Sequence, residues 1–312
     1  MIRSILGLLL RALIVSFGAA LLTFALLWNS PGDPAEAIAV ARYDAILTND
    51  VIDIVRAQAG LDQGFWSAFL AWGQGVLTFD FGVSSVTGRN VLTDLGAAAL
   101  YTLPLAMGGL IIGVLIALPL ASVASRRPGG VLDRITIAIS SIGAAMPEFL
   151  LGLLLILLFA VHLDWLPTMG ARTPAHTFLP SLTLGLGVAA ALTRIIRSGI
   201  LEARGQAFLP ALRRRGVKPW ALGRDHVAPH AAIPVVTVFG LELAFLLEGV
   251  VVVETVFGRP GLGTFLIHAV VARDFPQVQA AVLLTALVFV VINMAVDLIY
   301  RAVDPRIGGD HA

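Results

Sequence analysis

Five carboxylates lie within or beside long apolar stretches of the sequence, where an ionisable side chain is costly and is therefore a candidate for function. They are Glu148, Glu242, Glu248, Glu254 and Asp297. Two carboxylates that converge in a wet cavity could act as general acid and base. A single carboxylate that titrates or binds sodium could couple transport to an ion gradient. A membrane-embedded enzyme and an ion-coupled secondary transporter are therefore two functional alternatives.

Three of these carboxylates fall in one apolar stretch, six residues apart. At about 100° per residue, Glu242, Glu248 and Glu254 are separated by about 120° around a helix. A continuous helix cannot turn all three toward one cavity, so at least one is structural. Glu248 is the deepest of the three, and both pore lining and an interhelical hydrogen bond are open to it.

The sequence does not indicate a metal site, a nucleotide site or a nucleic-acid site. His226 and His230 are four residues apart, as zinc ligands on a helix are, but no further ligand is spaced to complete a site and the chain has no cysteine. No Gly-x4-Gly-Lys-Ser/Thr sequence occurs, and Lys218 is the only lysine. The sequence therefore predicts no metal site and no cofactor in this chain. The net charge of +1 gives no general attraction for nucleic acid.

Composition indicates that the bilayer is the main solvent of the chain. Of 312 residues, 58% are hydrophobic and 13% are charged, against about 25% charged in soluble domains. A helix needs about 20 mostly apolar residues to cross the hydrocarbon core. Six segments meet this requirement: Ile5–Trp28, Leu100–Val123, Ile135–Val161, Leu179–Gly199, Ile233–Val253 and Val278–Tyr300.

The positive charges predict how these helices are oriented. With both termini in the cytoplasm, 15 of the 21 lysine and arginine residues lie on the cytoplasmic side. The other six are Arg42, Arg56, Arg89, Arg172, Arg259 and Arg273. The sequence thus predicts an all-α integral membrane protein with six transmembrane helices and two cytoplasmic termini.

This topology divides the chain into four regions. Residues 1–29 form a first transmembrane helix, retained rather than cleaved as a signal peptide. Residues 30–96 are an external segment with amphipathic helices, and residues 97–304 form a five-helix core that includes a cytoplasmic loop, 200–232. Residues 305–312 are a cytoplasmic tail.

The external segment combines an apolar helical face with an aromatic cluster suited to a membrane interface. These residues are Ile52, Val55 and Ala59 on the face, and Phe65, Trp66, Phe69 and Trp72 in the cluster. An ordered external cap is the favoured interpretation, and direct contact with a solute is the alternative.

The cytoplasmic loop has the spacing of a helix, a glycine turn and a second helix. Gly216 follows Ala211-Leu212-Arg213-Arg214-Arg215, and a glycine there permits the positive φ of a helix C-terminus. Pro219 suits the first turn of the next helix, which begins Lys218-Pro219-Trp220. We call residues 208–229 the elbow. The alternative is a basic loop that obeys only the positive-inside rule.

The elbow resembles the EAA signature of ABC importer permeases, which reads Glu-Ala-Ala, three residues, Gly, nine residues, Ile, one residue, Leu-Pro. Gly216 holds the glycine position, Ala211 the second position and Pro229 the final proline. The departures are Pro210, Leu212, His226 and Ala228, and they resemble the dipeptide, oligopeptide and nickel branch.

Further segments similar to that branch occur in the expected order along nearly the whole chain. They are Pro31-Gly32-Asp33-Pro34, Gly60-Leu61-Asp62, Asp80-Phe81-Gly82, Thr102-Leu103-Pro104-Leu105-Ala106, Arg194 with Arg197-Ser198, Leu201-Glu202, Val252-Val253-Glu254-Thr255-Val256-Phe257, Pro260-Gly261-Leu262-Gly263, Arg273-Asp274-Phe275-Pro276, Asn293, Asp297-Leu298-Ile299-Tyr300 and Asp304-Pro305-Arg306-Ile307.

The resemblance implies a permease of the type I, MetI-like fold that does no covalent chemistry itself. ATP and magnesium would be bound by two cytoplasmic ATPase subunits, and a second, similar permease and an external solute-binding protein would complete the importer. It also implies ATPase contact through the elbow, with Arg213, Arg214, Arg215 and Trp220 as candidates, and an external gate region with Glu254, Phe257, Pro260 and Gly261. Peptide is the leading cargo, and nickel, glutathione or another small solute stays open.

Overall fold

A computed structural model of the chain describes residues 2–29, 31–43, 48–58 and 60–303. Within these ranges the chain is helical, and its only β-pairing is an isolated bridge between Val83 and Asn90. The α-helices are α1 (Ile2–Trp28), α2 (Pro34–Tyr43), α3 (Asn49–Gln58), α4 (Phe65–Leu77), α5 (Val91–Ala124), α6 (Val131–Ala145), α7 (Glu148–Leu155), α8 (Ala175–Arg204), α9 (Phe208–Arg214), α10 (Pro219–Ala221), α11 (Ala228–Val256), α12 (Leu262–Val271) and α13 (Phe275–Val303).

Among the residues that the structure describes, three helices are long and apolar enough to cross a membrane: α5, α8 and the Phe275–Val296 part of α13. Helix α6 and the helical segment Glu148–His162 add a fourth span if the two count as one. Helices α1 and α11 form where spans were predicted, although the apolar part found in α1, Leu13–Trp28, is shorter. The all-α membrane class is confirmed, while the count of six and the cytoplasmic termini stay predictions.

The predicted continuous helix Ile135–Val161 is broken in the structure. Helix α6 meets the helical segment Glu148–His162 at an angle of 105°; this segment consists of α7 and a π-helical continuation, Ile156–His162. The cause is local, because Pro147 has no backbone N–H and disfavours helical geometry in the residue before it. Met146 is accordingly extended, with φ −82° and ψ 125°. The break makes Glu148 the first residue of α7.

The described chain separates into two compact units. One comprises the chain up to Thr102 together with Pro260–Val291, and the other runs from Leu103 to Arg259 and resumes at Ile292. The predicted division at residues 29, 96 and 304 follows membrane topology rather than packing, so the two units leave it untested. The predicted tail, 305–312, lies outside the described residues.

In the first unit, aromatic side chains join α1 to α4. The ring of Phe24 lies 5.2 Å from that of Phe65 and 5.3 Å from that of Phe69. Val55 of the predicted apolar face is buried with Ile38 between α2 and α3. Ala59 lies outside the described residues. These contacts show that the segment predicted to be external packs as helices against its own unit.

Polar contacts anchor the loops of the same unit. The buried carboxylate of Asp274 accepts hydrogen bonds from the Ser84 hydroxyl and, at 3.2 Å, from the backbone N–H of Ser85. Arg42 donates to the carbonyl oxygen of Ser85, at 2.9 Å from its Nε. Each polar group thereby retains a partner on burial.

The second unit packs α8 against α5, α6, α7 and α11 around an apolar core. A buried ion pair joins the cytoplasmic ends predicted for α6 and α8: Arg197 Nη2 lies 2.7 Å from Asp133 Oδ2, and Arg197 Nε donates to Oδ1. The backbone N–H of Gly129 also donates to Asp133 Oδ2, at 2.7 Å. The carboxylate is therefore fully hydrogen-bonded although only 2% of the residue is exposed.

Glycines allow α5 and α8 to approach closely. A Cβ added at Gly113 would lie 2.6 Å from Cγ1 of Val188 and 3.1 Å from the carbonyl oxygen of Gly185. A Cβ added at Gly109 would lie 2.8 Å from Cβ of Leu184. Small residues at such crossings are typical of membrane helices, whose association depends on close van der Waals packing.

We expect Gly113→Leu to destabilise the chain by about 1–3 kcal/mol, because the new side chain overpacks this crossing. The measurement is the melting temperature of the detergent-solubilised protein. Gly96→Leu in the same helix is the matched control, since a Cβ there meets nothing within 4 Å. Equal melting temperatures for the two variants would contradict the prediction.

Candidate functional site

The elbow has the local geometry that the sequence predicts. Helix α9 is followed by Gly216, whose φ is +79°. The N–H of Gly216 donates to the carbonyl oxygen of Arg213 at 3.0 Å, and that of Val217 to the carbonyl oxygen of Leu212 at 3.2 Å. These two bonds form a Schellman motif, which satisfies carbonyl groups at a helix end. Pro219 then occupies the first turn of α10, as predicted.

The elbow has a buried inner face and an exposed outer face. Leu209 and Leu222 pack with Ala203 of α8 and Ala231 of α11. All residues that the sequence assigns to the ATPase-coupling loop are exposed, including the four contact candidates: Ala211, Arg213, Arg214, Arg215, Gly216, Lys218, Pro219, Trp220 and Pro229. Apolar packing thus holds the elbow against the helices of its own unit and leaves its charges accessible.

Trp220 is the large apolar group of the outer face, with 61% of the residue exposed. The guanidinium of Arg224 lies over its ring, 4.7 Å from the centroid, a cation–π geometry. Arg224 also donates from Nε to Asp225 Oδ1 at 2.6 Å and holds the pKa of that carboxyl below its usual range. Arg224 and Asp225 are not among the predicted site residues, although the four-residue spacing from Trp220 to Arg224 indicates that these two side chains are neighbours on a helix.

The two histidines of this region take part in packing. Nδ1 of His230 lies 2.9 Å from the carbonyl oxygen of His226, and the ring of Phe208 contacts both imidazoles, with centroids 6.3 Å and 5.2 Å away. Across the ranges that the structure describes, no group of three or more His, Cys, Asp or Glu side chains could hold a metal ion.

The three carboxylates of α11 occupy different environments, as their spacing predicts. Glu242 lines a cavity, Glu248 is exposed and Glu254 is completely buried. Glu248 does not line the cavity. Asp297 lies in α13. Among the predicted carboxylates, the structure therefore brings Glu148 and Glu242 together.

The cavity has a volume of about 260 Å³ and lies in the second unit. Its charged lining comes from three helices: Glu148 of α7, Arg194 of α8 and Glu242 of α11. Its apolar wall includes Leu184, Val188, Phe245 and Leu246. Arg194 is not a predicted neighbour of these carboxylates, because sequence spacing does not relate residues on separate helices.

Glu254 and Phe257, two residues of the predicted gate region, are buried in the interior of the second unit. Phe257 is 1% exposed and packs close to Gly152, where an added Cβ would lie 3.2 Å from its ring. The N–H of Gly170 donates to the carbonyl oxygen of Phe257 at 2.8 Å. Pro260 and Gly261 belong to the first unit, in the turn before α12. A gate role for these residues and Glu254 stays a prediction.

Comparison with known proteins relates the chain to transport systems. The family described as "Binding-protein-dependent transport system inner membrane component" matches residues 109–309. The glutathione transport system permease protein GsiC of Escherichia coli is 38% identical over 306 residues, which cover 98% of this chain and 97% of the relative. The protein of the same name from Salmonella choleraesuis is 40% identical over the same shares of both chains.

Solved structures provide a likeness of fold. The MetNI methionine ABC transporter, in inward-facing conformations, matches 67% of this chain and 96% of its own with a TM-score of 0.55 and 22% identity. An amino acid ABC transporter with histidines matches 67% of this chain and 94% of its own, with a TM-score of 0.53 and 19% identity. These matches agree with the MetI-like fold implied by the sequence.

Proposed function

Because the chain belongs to the family of binding-protein-dependent transport system inner membrane components, we propose that it forms half of the translocation path of an importer for di- and oligopeptides. The chain is a multi-pass permease subunit of an ABC importer in the inner membrane. Its relatives are membrane components rather than catalysts, in agreement with the prediction that this chain is not an enzyme. ATP and magnesium are then bound by partner subunits.

The elbow is the observation that carries the coupling role. It consists of two short helices joined by the Gly216 turn and anchored by buried leucines, with an exposed face formed by Arg213, Arg214, Arg215, Lys218 and Trp220. A rigid element of this kind can transmit the closure of two ATPase subunits to the membrane helices, whose rocking alternates access to the path. For the three arginines, anionic lipid is the competing contact.

The proposed assembly contains a second, homologous permease, two ATPase subunits and an extracytoplasmic solute-binding protein. The family description supports a binding protein, since it names the transport system after one. For cargo, the relatives named for glutathione support a small peptide or peptide-like solute. Glutathione itself, nickel and other small solutes are the alternatives that the branch resemblance leaves open.

The two rival functions have one observation in their favour. Glu148 and Glu242 share a cavity, as an acid–base pair in an enzyme or a titrating pair in a secondary transporter would. Both rivals require activity from this chain alone. Family membership favours the importer, whose activity requires ATPase partners.

The importer predicts a defined set of co-purifying proteins and an energy requirement. We expect the tagged chain, extracted in mild detergent, to bring down a second permease and ATPase subunits identified by mass spectrometry. Proteoliposomes of this complex, supplied with the binding protein outside and ATP inside, should accumulate radiolabelled dipeptide and stop when vanadate is added. Uptake by the single chain, driven by an ion gradient and insensitive to vanadate, would overturn the proposal.

The same proteoliposomes discriminate between cargoes. Unlabelled dipeptide, glutathione and nickel are each added in excess in separate assays. A compound that abolishes uptake of the labelled dipeptide competes for the importer. Competition by dipeptide alone supports the peptide proposal. Accumulation of glutathione or nickel, without accumulation of dipeptide, would replace peptide as the cargo and leave the importer function standing.

A further inference from the structure

The cavity between α7, α8 and α11 is built around the carboxyl group of Glu148. Pro147 ends the preceding helical segment, so Glu148 opens α7 at the break. Its carboxyl group lies over Gly249 of α11, where an added Cβ would overlap both carboxyl oxygens. An added Cβ at Gly187 of α8 would lie 3.8 Å from Oε1. Two helices thus present a glycine to this carboxyl group, and the absence of a side chain at Gly249 makes the room that it occupies.

Acidic groups outnumber basic groups in the lining of the cavity. Two carboxyl groups, those of Glu148 and Glu242, line the cavity together with one guanidinium, that of Arg194. Glu242 and Arg194 are near enough to interact electrostatically, yet among the described residues no ion pair joins Arg194 to either carboxylate. Half-buried carboxylates without such a partner are unfavourable in a membrane protein and would be stabilised by a cationic ligand.

The size and the apolar wall of the cavity restrict what this cation can be. A volume of about 260 Å³ is slightly below the range of about 300–1,000 Å³ that is usual for whole drug-sized ligands. It suits the end of a chain molecule rather than all of it. The wall formed by Leu184, Val188 and Leu246 offers a place for one apolar side chain beside the charges.

We propose that this cavity is a recognition site for the amino-terminal end of a peptide. The α-ammonium group binds between Glu148 and Glu242, the first side chain lies against the apolar wall, and Arg194 faces a carbonyl or carboxylate oxygen further along the cargo. The inference rests on the proposed importer function and specifies the chemical group of the cargo that the permease itself reads.

The test is binding of dipeptides to the purified importer complex without its binding protein, so that only the membrane subunits select the ligand. Saturation-transfer NMR titrations compare alanyl-phenylalanine with its N-acetylated form. We expect acetylation to weaken binding to the wild type about tenfold or more, the effect of losing a charge-assisted hydrogen bond. Glu148→Gln and Glu242→Gln should weaken binding of the free dipeptide by a similar factor and abolish the preference over the acetylated form.

Two further variants make the result specific. Glu202→Gln removes an exposed carboxylate from α8 outside the cavity and should bind like the wild type. Gly249→Ala displaces the Glu148 carboxyl group without removing a charge and should weaken binding as Glu148→Gln does.

Three outcomes would overturn the proposal: no binding of dipeptide to the wild-type complex, an unchanged preference in the glutamine variants, or loss of the second permease from both glutamine variants and Gly249→Ala. The last outcome would assign these charges to subunit assembly. Each of them is distinguishable from failure of the importer function, which would appear as absent ATP-dependent uptake by the wild type in proteoliposomes.

Discussion

Replacement of Asp133 by alanine is expected to lower the free energy of unfolding of this chain by about 3 kcal/mol. The carboxylate of Asp133 is the counter-ion of Arg197 and the acceptor of the Gly129 N–H. Arg197 Nη2 and the Gly129 nitrogen each lie 2.7 Å from Asp133 Oδ2, and both lose this partner in the variant. Breaking a buried pair costs about 3–5 kcal/mol because it leaves an uncompensated charge. The lower end applies here, since 20% of the Arg197 side chain is exposed. The measurement is denaturation of the detergent-solubilised protein, followed by circular dichroism.

Asp225→Ala is the matched control for this prediction. Asp225 also forms two hydrogen bonds with an arginine, Arg224, but on the exposed surface, where ion pairs contribute little. The melting temperature of the Asp225→Ala variant should stay close to that of the wild type. The double variant Asp133→Leu with Arg197→Met should recover much of the lost stability, because it removes both charges together. A single Asp133→Ala variant as stable as the wild type would refute the structural role of the pair.

Gly216→Pro is expected to reduce ATP-dependent uptake about tenfold or more and to release the ATPase subunits from the solubilised complex. Proline holds φ near −65°, whereas Gly216 has φ +79°. Proline also removes the N–H that donates to the carbonyl oxygen of Arg213 at 3.0 Å. The Schellman motif cannot form. We therefore expect α10 and Trp220 to move away from the positions that the proposed contact with the ATPase subunits requires.

Two variants separate this effect from a general loss of folding. Gly216→Asn should retain most of the uptake, because asparagine tolerates the left-handed conformation better than other side chains do. Gly223→Ala tests the same stretch at a site where a Cβ meets nothing within 4 Å and φ is not positive, and it should also be active. If Gly216→Pro keeps both its ATPase subunits and normal uptake, the elbow is not the coupling element.

The elbow is the part of the site that the sequence predicts best. Gly216 and Pro219 each restrict or permit one region of backbone conformation, and these preferences act within a few consecutive residues. The helix, the glycine turn and the next helix could therefore be placed before any tertiary contact was known. The Trp220–Arg224 contact follows from the same local geometry, because residues four apart in a helix are neighbours.

The broken span shows where local reasoning was incomplete. Pro147 marks a break in the sequence, but an apolar run from Ile135 to Val161 has the composition of one straight helix. The angle of 105° depends on how α6 and α7 pack against α8 and α11, and these contacts connect residues far apart in the chain.

Composition, charge asymmetry and local motifs determined the all-helical membrane class, the family and the geometry of the elbow. The tertiary structure decided which carboxylates share the cavity with Arg194, and that Glu254 and Phe257 are buried. It also distinguished Gly113, at a helix crossing, from Gly96 in open space. The physical reason is that hydropathy and backbone preference are properties of neighbouring residues, whereas convergence and burial depend on the packing of helices that the sequence separates.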